Sequence, residues 1–269
     1  MTIIMQGGVW EGTLKTAEYY CTSPYVEKVI ISILGDEEIK TDNPLIEIVK
    51  SKEPYPGQGN MNFQIVSSLA GVKRITNAVG IKTRTDQRLT HDTLYKIMMY
   101  FLQNSSNKPI RFHDNSGYAT SEIFVIGNQS RFPFQPQDHI FMGYKQDLIN
   151  LFSIPLNKEP TCGDWTKPEW GKHKQRDVGL DFSIHLRMPI YLGAFYYARF
   201  DKRVRKFIRE WQTYLLDDAP KQAEAMEVYD ELRDKIFKPF PKFIDMYWEK
   251  YKNGYPYQMY EDQGEYYGI

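Results

Sequence analysis

Lys82-Thr83-Arg84-Thr85-Asp86 places a carboxylate shortly after the apolar run Ala78-Val79-Gly80-Ile81, with Arg84 and Arg88 flanking it. Carboxylate oxygen suits a hard divalent cation such as Mn²⁺ or Mg²⁺, which could bridge Asp86 to a diphosphate. Arg84 and Arg88, or Lys82 in their place, could add positive charge for the same phosphate groups. The competing reading is a charged surface turn with ordinary ion pairs, since a lone Asp after a strand is common.

Other segments could contribute to the same chemistry. Gln6-Gly7-Gly8 ends a short apolar run, where glycine lets a backbone approach a nucleotide closely; a tight turn explains the same residues. Asp36 heads an acidic triplet after a second apolar run. Asn60, Asn62 and Gln64 stand at the start of a helical pattern. Their amides could read a base or ribose, and helix capping fits at least one of them. Asp138 could take a proton from an acceptor hydroxyl in an inverting sugar transfer, or could be a turn or cap residue. Its neighbour His139 would point to the opposite face of an extended strand. His113, His173 and His185 lack metal-ligand spacing and carry no role.

These residues need a scaffold. Thr2 to Gln6 and Val26 to Leu34 read as buried strands and Leu45 to Val49 as a third strand, with a short helix from Thr13 to Tyr20. A Pro/Gly-rich loop, Pro54 to Asn60, precedes an amphipathic helix on Ile65, Val66, Leu69 and Val72. That helix leads to the strand ending at Asp86, and another begins near Asp92. Strands alternating with helices predict an α/β, Rossmann-type, mostly parallel sheet flanked by helices. Ligands bind such sheets outside the strands' carboxyl ends, so Gly7-Gly8, the Asp36 region and Asp86 should share one edge.

A strand is expected from Glu122 to Ile126, then a loop from Phe132 to Asp138 running into another strand. Residues 156–180 read as polar loop. The C-terminal third reads as helical: one stripe on Val204, Phe207, Ile208, Trp211 and Leu215, a second on Met226, Tyr229 and Ile236. A third helix is expected on Phe243, Ile244, Tyr247, Trp248 and Tyr251, with aperiodic aromatics from Tyr255 to Ile269. The division is therefore a core over 1–156 and a loop and helical C-terminal extension over 157–269, packed on that core.

With 34 basic and 34 acidic side chains among 269 residues, the chain lacks the basic excess of a nucleic-acid binder. No apolar run approaches the length of about 20 residues that spans a bilayer. Met1 leads at once into strand-like residues rather than a signal peptide. Cys21 and Cys162 are too few for a disulfide framework and lack metal spacing, so a reducing cytoplasm is expected. The aromatic surplus, including 20 Tyr, suits a core and an interface better than a sugar platform, and a homodimer stays open.

Several stretches, in order, resemble the WavE lipopolysaccharide-synthesis family: Ile3-Ile4-Met5-Gln6-Gly7, Val29-Ile30-Ile31-Ser32, Asn60 to Gly71, Lys82 to Asp86, and Pro133 to Gly143 with Leu148 and Ile154-Pro155-Leu156. The chain departs from the family pattern at Gly8, Phe63, Thr85 and His139. The resemblance implies a GT-A-like glycosyltransferase fold, a nucleotide-sugar donor, a glycan acceptor and a role in surface-glycan synthesis. It implies that Asp86 anchors metal and diphosphate and that Asp138 is the catalytic base. Gln6, Gly7, Gly8, Asp36, Asn62, Gln64, Lys82 and Arg84 then become donor contacts. A sugar nucleotidyltransferase and a non-catalytic glycan-binding module remain as alternatives.

Overall fold

A computed structural model describes residues 1–105, 110–111, 119–120, 122–126, 133–136, 138–158, 188–210, 219–241, 245–248 and 256–258. His113, His173, His185, Cys162, Trp211, Leu215, Phe243, Ile244, Tyr251 and most of the expected 156–180 loop lie outside these residues.

The first half alternates as expected. Strand β1 (Thr2–Gln6) is followed by helix α1 (Thr13–Cys21), β2 (Lys28–Leu34), β3 (Ile46–Ser51), a short 3₁₀ turn, α2 (Met61–Lys73) and β4 (Val79–Arg84). Then come β5 (Gln87–Leu89), α3 (His91–Asn104), the short β6 (Ile110–Arg111) and β7 (Ala119–Thr120), β8 (Ile123–Val125), β9 (Phe141–Tyr144) and α4 (Lys145–Phe152). The C-terminal part contributes α5 (Met188–Tyr197), α6 (Lys202–Glu210), α7 (Ala219–Ile236), β10 (Phe237–Pro239), β11 (Asp245–Trp248) and β12 (Pro256–Gln258).

The mostly parallel α/β sheet is borne out. Its seven strands run in the order β10-β8-β9-β4-β1-β2-β3. Within this sheet only β9 runs against the rest, pairing antiparallel with β4 and β8. The centre of the sheet is buried on both faces, which is why β1 reads Thr-Ile-Ile-Met-Gln with every residue buried rather than alternating. Ile3, Met5, Val29 and Ile31 pack on one side with Ala17, Tyr20, Leu94, Ile97 and Phe101 of α1 and α3. Ile4 and Ile30 face the other side, with Ile65 and Val72 of α2, Leu148 and Leu151 of α4, and the C-terminal helices. Each such buried side chain contributes about 1.5–3 kcal/mol relative to exposure.

Two expectations need correction. The third C-terminal helix is absent at Tyr247 and Trp248, which lie in β11 and pair antiparallel with Arg88 and Gln87 of β5. The C-terminal third also adds β10 to the edge of the main sheet, beside β8. Pairing across such sequence distances overrides the local helical spacing of aromatics that favour strands equally well. No helix among the described residues is long and apolar enough to cross a membrane.

Candidate functional site

The carboxyl ends of β1 to β4 open onto a cavity of about 420 Å³. Gln6, Gly7 and Gly8 line it from β1, Leu34 and Glu37 from β2, Glu53 from beyond β3, and Arg84, Thr85 and Asp86 from β4. The start of α2 closes the wall with Asn60, Phe63, Gln64 and Ser67, and Trp10 stands at the cavity too. This is the place where an open parallel sheet binds its ligand.

Gly7 makes the β1 end possible. Its φ is +143°, and a Cβ there would lie 2.6 Å from the Thr85 hydroxyl. Thr85 in turn donates to the Gly8 carbonyl at 2.7 Å, and its backbone N–H donates to Gln6 O at 3.1 Å. The two strand ends are thus tied together across the cavity floor.

Asp86 is buried and Arg84 half-exposed, and they form a two-pronged pair. Arg84 Nε donates to Oδ1 at 2.9 Å and Nη2 to Oδ2 at 2.8 Å. Such a fork-on-carboxylate contact fixes the guanidinium plane. The Mn²⁺ or Mg²⁺ expected at Asp86 does not fit this arrangement. Both carboxylate oxygens already accept from a cation, and among the described residues no three His, Cys, Asp or Glu gather as a metal site.

Behind the cavity wall lies a second polar cluster. Gln64 Nε2 donates to Asp138 Oδ2 at 3.1 Å, connecting the wall to Asp138. Lys82 is fully buried and donates from Nζ to the Asp138 backbone carbonyl at 2.9 Å. Burial pulls the Lys82 ammonium down to about 8, against the opposing pull of Asp138. Burial works against the Asp138 charge as well, but the neighbouring His139, Lys82 and Gln64 outweigh it and hold the carboxyl below its ordinary range. Asp138 is therefore ionised at neutral pH. Burial keeps His139 more neutral than an exposed histidine.

A pH prediction follows from Lys82. Its folded pKa of about 8 lies below the ordinary 10.5, so between these values the unfolded chain holds more protons and stability rises with pH. The stability of the wild type relative to Lys82→Met is expected to grow by about 2 kcal/mol from about pH 7 to about pH 9.5. Urea unfolding at both pH values measures it; a flat difference would show that Lys82 is not desolvated.

The structure brings Gln6, Gly7, Gly8, Gln64, Arg84 and Asp86 together at one cavity, with Lys82 and Asp138 directly behind it. Asn62 faces elsewhere: its amide donates to Tyr55 O and Asn157 O, and its Oδ1 accepts from Asn157 N, clamping the loop before α2. Asn60 precedes α2 in a left-handed conformation and makes no side-chain cap bond, so the capping expectation fails there. Asp36 is replaced at the cavity by its neighbour Glu37, whose Oε2 accepts from Val9 N at 2.8 Å. His139 lies in a bend before β9, not in the strand, and its Nδ1 meets Gln87 Nε2 at 2.8 Å.

Of the other cavity residues, the sequence marks Phe63 only as a departure from the family pattern and Glu37 only as part of the acidic triplet, and it does not single out Trp10 or Glu53. Trp10, just past the Gly7-Gly8 pair and 37% exposed, carried the one usable signal, an aromatic at a strand end. Glu53, an acidic residue in a loop, carries none.

No curated protein matches the chain. Among solved structures, HddC from Yersinia pseudotuberculosis is 12% identical over 55% of this chain and 78% of its own, with a TM-score of 0.33. The same protein complexed with GMP-PN aligns over 60% and 81% of the two chains at 12% identity and a TM-score of 0.32. A Bacillus anthracis protein assigned as a glucose-1-phosphate thymidylyltransferase, in complex with sucrose, is 9% identical over 58% and 75%, with a TM-score of 0.31. The family comparison reaches further, because the sequence pattern of WavE lipopolysaccharide synthesis matches residues 25–179, more than half of the 269 residues. With β2 to β4, the Arg84–Asp86 pair and Asp138 all inside that match, the chain belongs to the WavE lipopolysaccharide synthesis family.

Proposed function

We propose that this protein transfers a sugar from a nucleotide-sugar donor to a glycan acceptor during surface-polysaccharide synthesis. The observation that carries the reading is the cavity at the carboxyl ends of four adjacent parallel strands, walled by Gly7, Gly8, Arg84 and Asp86 within a member of a lipopolysaccharide-synthesis family. The glycines let a bulky anionic ligand approach the backbone. Trp10 and Phe63 offer apolar faces for a flat base or a sugar ring.

In the proposed reaction the acceptor hydroxyl oxygen bonds to the donor's anomeric carbon. The bond from that carbon to the diphosphate breaks, and its electron pair leaves with the diphosphate. The hydroxyl proton passes to Asp138, and attack opposite to the leaving group inverts the anomeric centre. Gln64 holds the Asp138 carboxylate beside the cavity, and Lys82 fixes the backbone that carries it. In this reading residues 1–156 carry the catalytic groups, and the C-terminal part adds β10 to their sheet and packs its helices on it.

The test is a panel of nucleotide-sugars, each incubated with the full chain and scored for release of nucleoside diphosphate. Release from one donor class, accelerated by a glycan acceptor, is the expected result. Pyrophosphate release from a nucleoside triphosphate and a sugar phosphate would assign a sugar nucleotidyltransferase instead. Absence of any nucleotide binding in a thermal-shift panel would leave a glycan-binding module.

A further inference from the structure

Resting on the glycosyl-transfer reading, we infer that the donor's diphosphate is held by the Arg84 guanidinium, oriented by Asp86, with no divalent cation between protein and phosphate. The Asp86 carboxylate expected to anchor a metal instead receives both prongs of the Arg84 fork, at 2.9 and 2.8 Å. A dication on Asp86 would displace two charge-assisted bonds and set itself against a neighbouring guanidinium that cannot lose its charge.

The other cavity acids stand apart from this pair. Arg84 and Asp86 follow β4, whereas Glu37 and Glu53 follow β2 and β3, on the far side of β1. Neighbouring strands lie about 4.8 Å apart, so the β2 end is about 10 Å from the β4 end and the β3 end further still. The cavity is therefore polarised along the sheet edge. The end that carries the Arg84–Asp86 pair meets the Gly7-Gly8 backbone, where a diphosphate can lie close, and the end that carries Glu37 and Glu53 suits the N–H and O–H donors of a base and ribose. Asp86 acts here as a positioning residue and Arg84 as the phosphate contact.

The experiment titrates the full chain calorimetrically with UDP, GDP, ADP and CDP and their monophosphates, in excess EDTA and again with added Mn²⁺. At least one diphosphate is expected to bind in EDTA, and Mn²⁺ is expected to tighten it little. Arg84→Gln should weaken that diphosphate about 10- to 100-fold and the monophosphate much less, since one charged hydrogen-bonding group is removed. Arg84→Lys should recover part of the loss. Asp86→Asn should shrink the preference for diphosphate over monophosphate. Binding that appears only with Mn²⁺ overturns this inference while leaving sugar transfer in place. Metal-independent binding that ignores Arg84→Gln also overturns it alone. If no nucleoside diphosphate binds in either condition, this inference and the proposed function fail together.

Discussion

Asp138→Asn is expected to lower the rate of sugar transfer by about 10²- to 10⁴-fold, the range for loss of a positioned proton acceptor, with nucleotide affinity essentially unchanged. The substitution is nearly isosteric. An Asn side-chain oxygen can still accept from Gln64 Nε2, which lies 3.1 Å from the Asp138 carboxylate, so the cavity wall keeps its support. What disappears is the ability to take a proton. The surroundings hold the Asp138 carboxyl below its ordinary range, so the base is ready at every pH above about 4. The same depression makes it a weak base, and proton transfer must come late, after bond formation to the anomeric carbon has made the hydroxyl acidic. The acid limb of kcat/KM should accordingly lie below the normal carboxylate region. Asp138→Ala provides the contrast: it removes the Gln64 partner too, so KM for the donor should rise along with the fall in kcat. Transfer that survives in Asp138→Asn would remove Asp138 as the base.

The parallel sheet and its edge were legible because local signals pointed the same way. The apolar runs Ile3-Ile4-Met5 in β1 and Val29-Ile30-Ile31 in β2 announce burial on both faces, and Ile65, Leu69 and Val72 recur at helical spacing in α2. From there the placement of Gly7-Gly8 and Asp86 at one edge follows from the general geometry of such sheets. What escaped depends on partners far away in sequence. Nothing near Asp245 to Trp248 says that this segment pairs with β5, and its aromatic residues suit a helix stripe and a strand alike. The choice between Asp36 and Glu37 rests on the turn at Gly35, where one residue of rotation decides which carboxylate reaches the cavity. The Arg84–Asp86 pair shows the same limit. The sequence supplies two groups that could bind a phosphate and a metal, and only the folded geometry shows that they bind each other.

Gly193→Ala is expected to destabilise the protein by about 3 kcal/mol, a drop in Tm of about 5–10 °C for a chain of this size. Helix propensity predicts the opposite sign, since alanine in a helix interior is favoured over glycine by about 1 kcal/mol. Packing decides. A Cβ on Gly193, in the middle of α5, would sit 1.9 Å from the Phe134 carbonyl oxygen and 2.6 Å from Pro136 Cδ. Ordinary carbon–oxygen contacts begin near about 3.3 Å, so helix and loop would have to separate by more than about an ångström. Neither can yield cheaply. Phe134 is fully buried with a positive φ of 62°, and its ring packs among Tyr197, Phe207 and Tyr229. Pro136 lies two residues before Asp138, so any displacement is transmitted to the proposed base. A shift of about 1 Å at a reacting group can cost about 10²-fold in rate, and transfer should therefore fall even at temperatures where the variant remains folded. Thermal unfolding together with kcat on the folded variant measures both parts. A raised Tm would mean that α5 lies further from the Phe134 turn, and an unchanged kcat would separate the C-terminal helices from the positioning of Asp138.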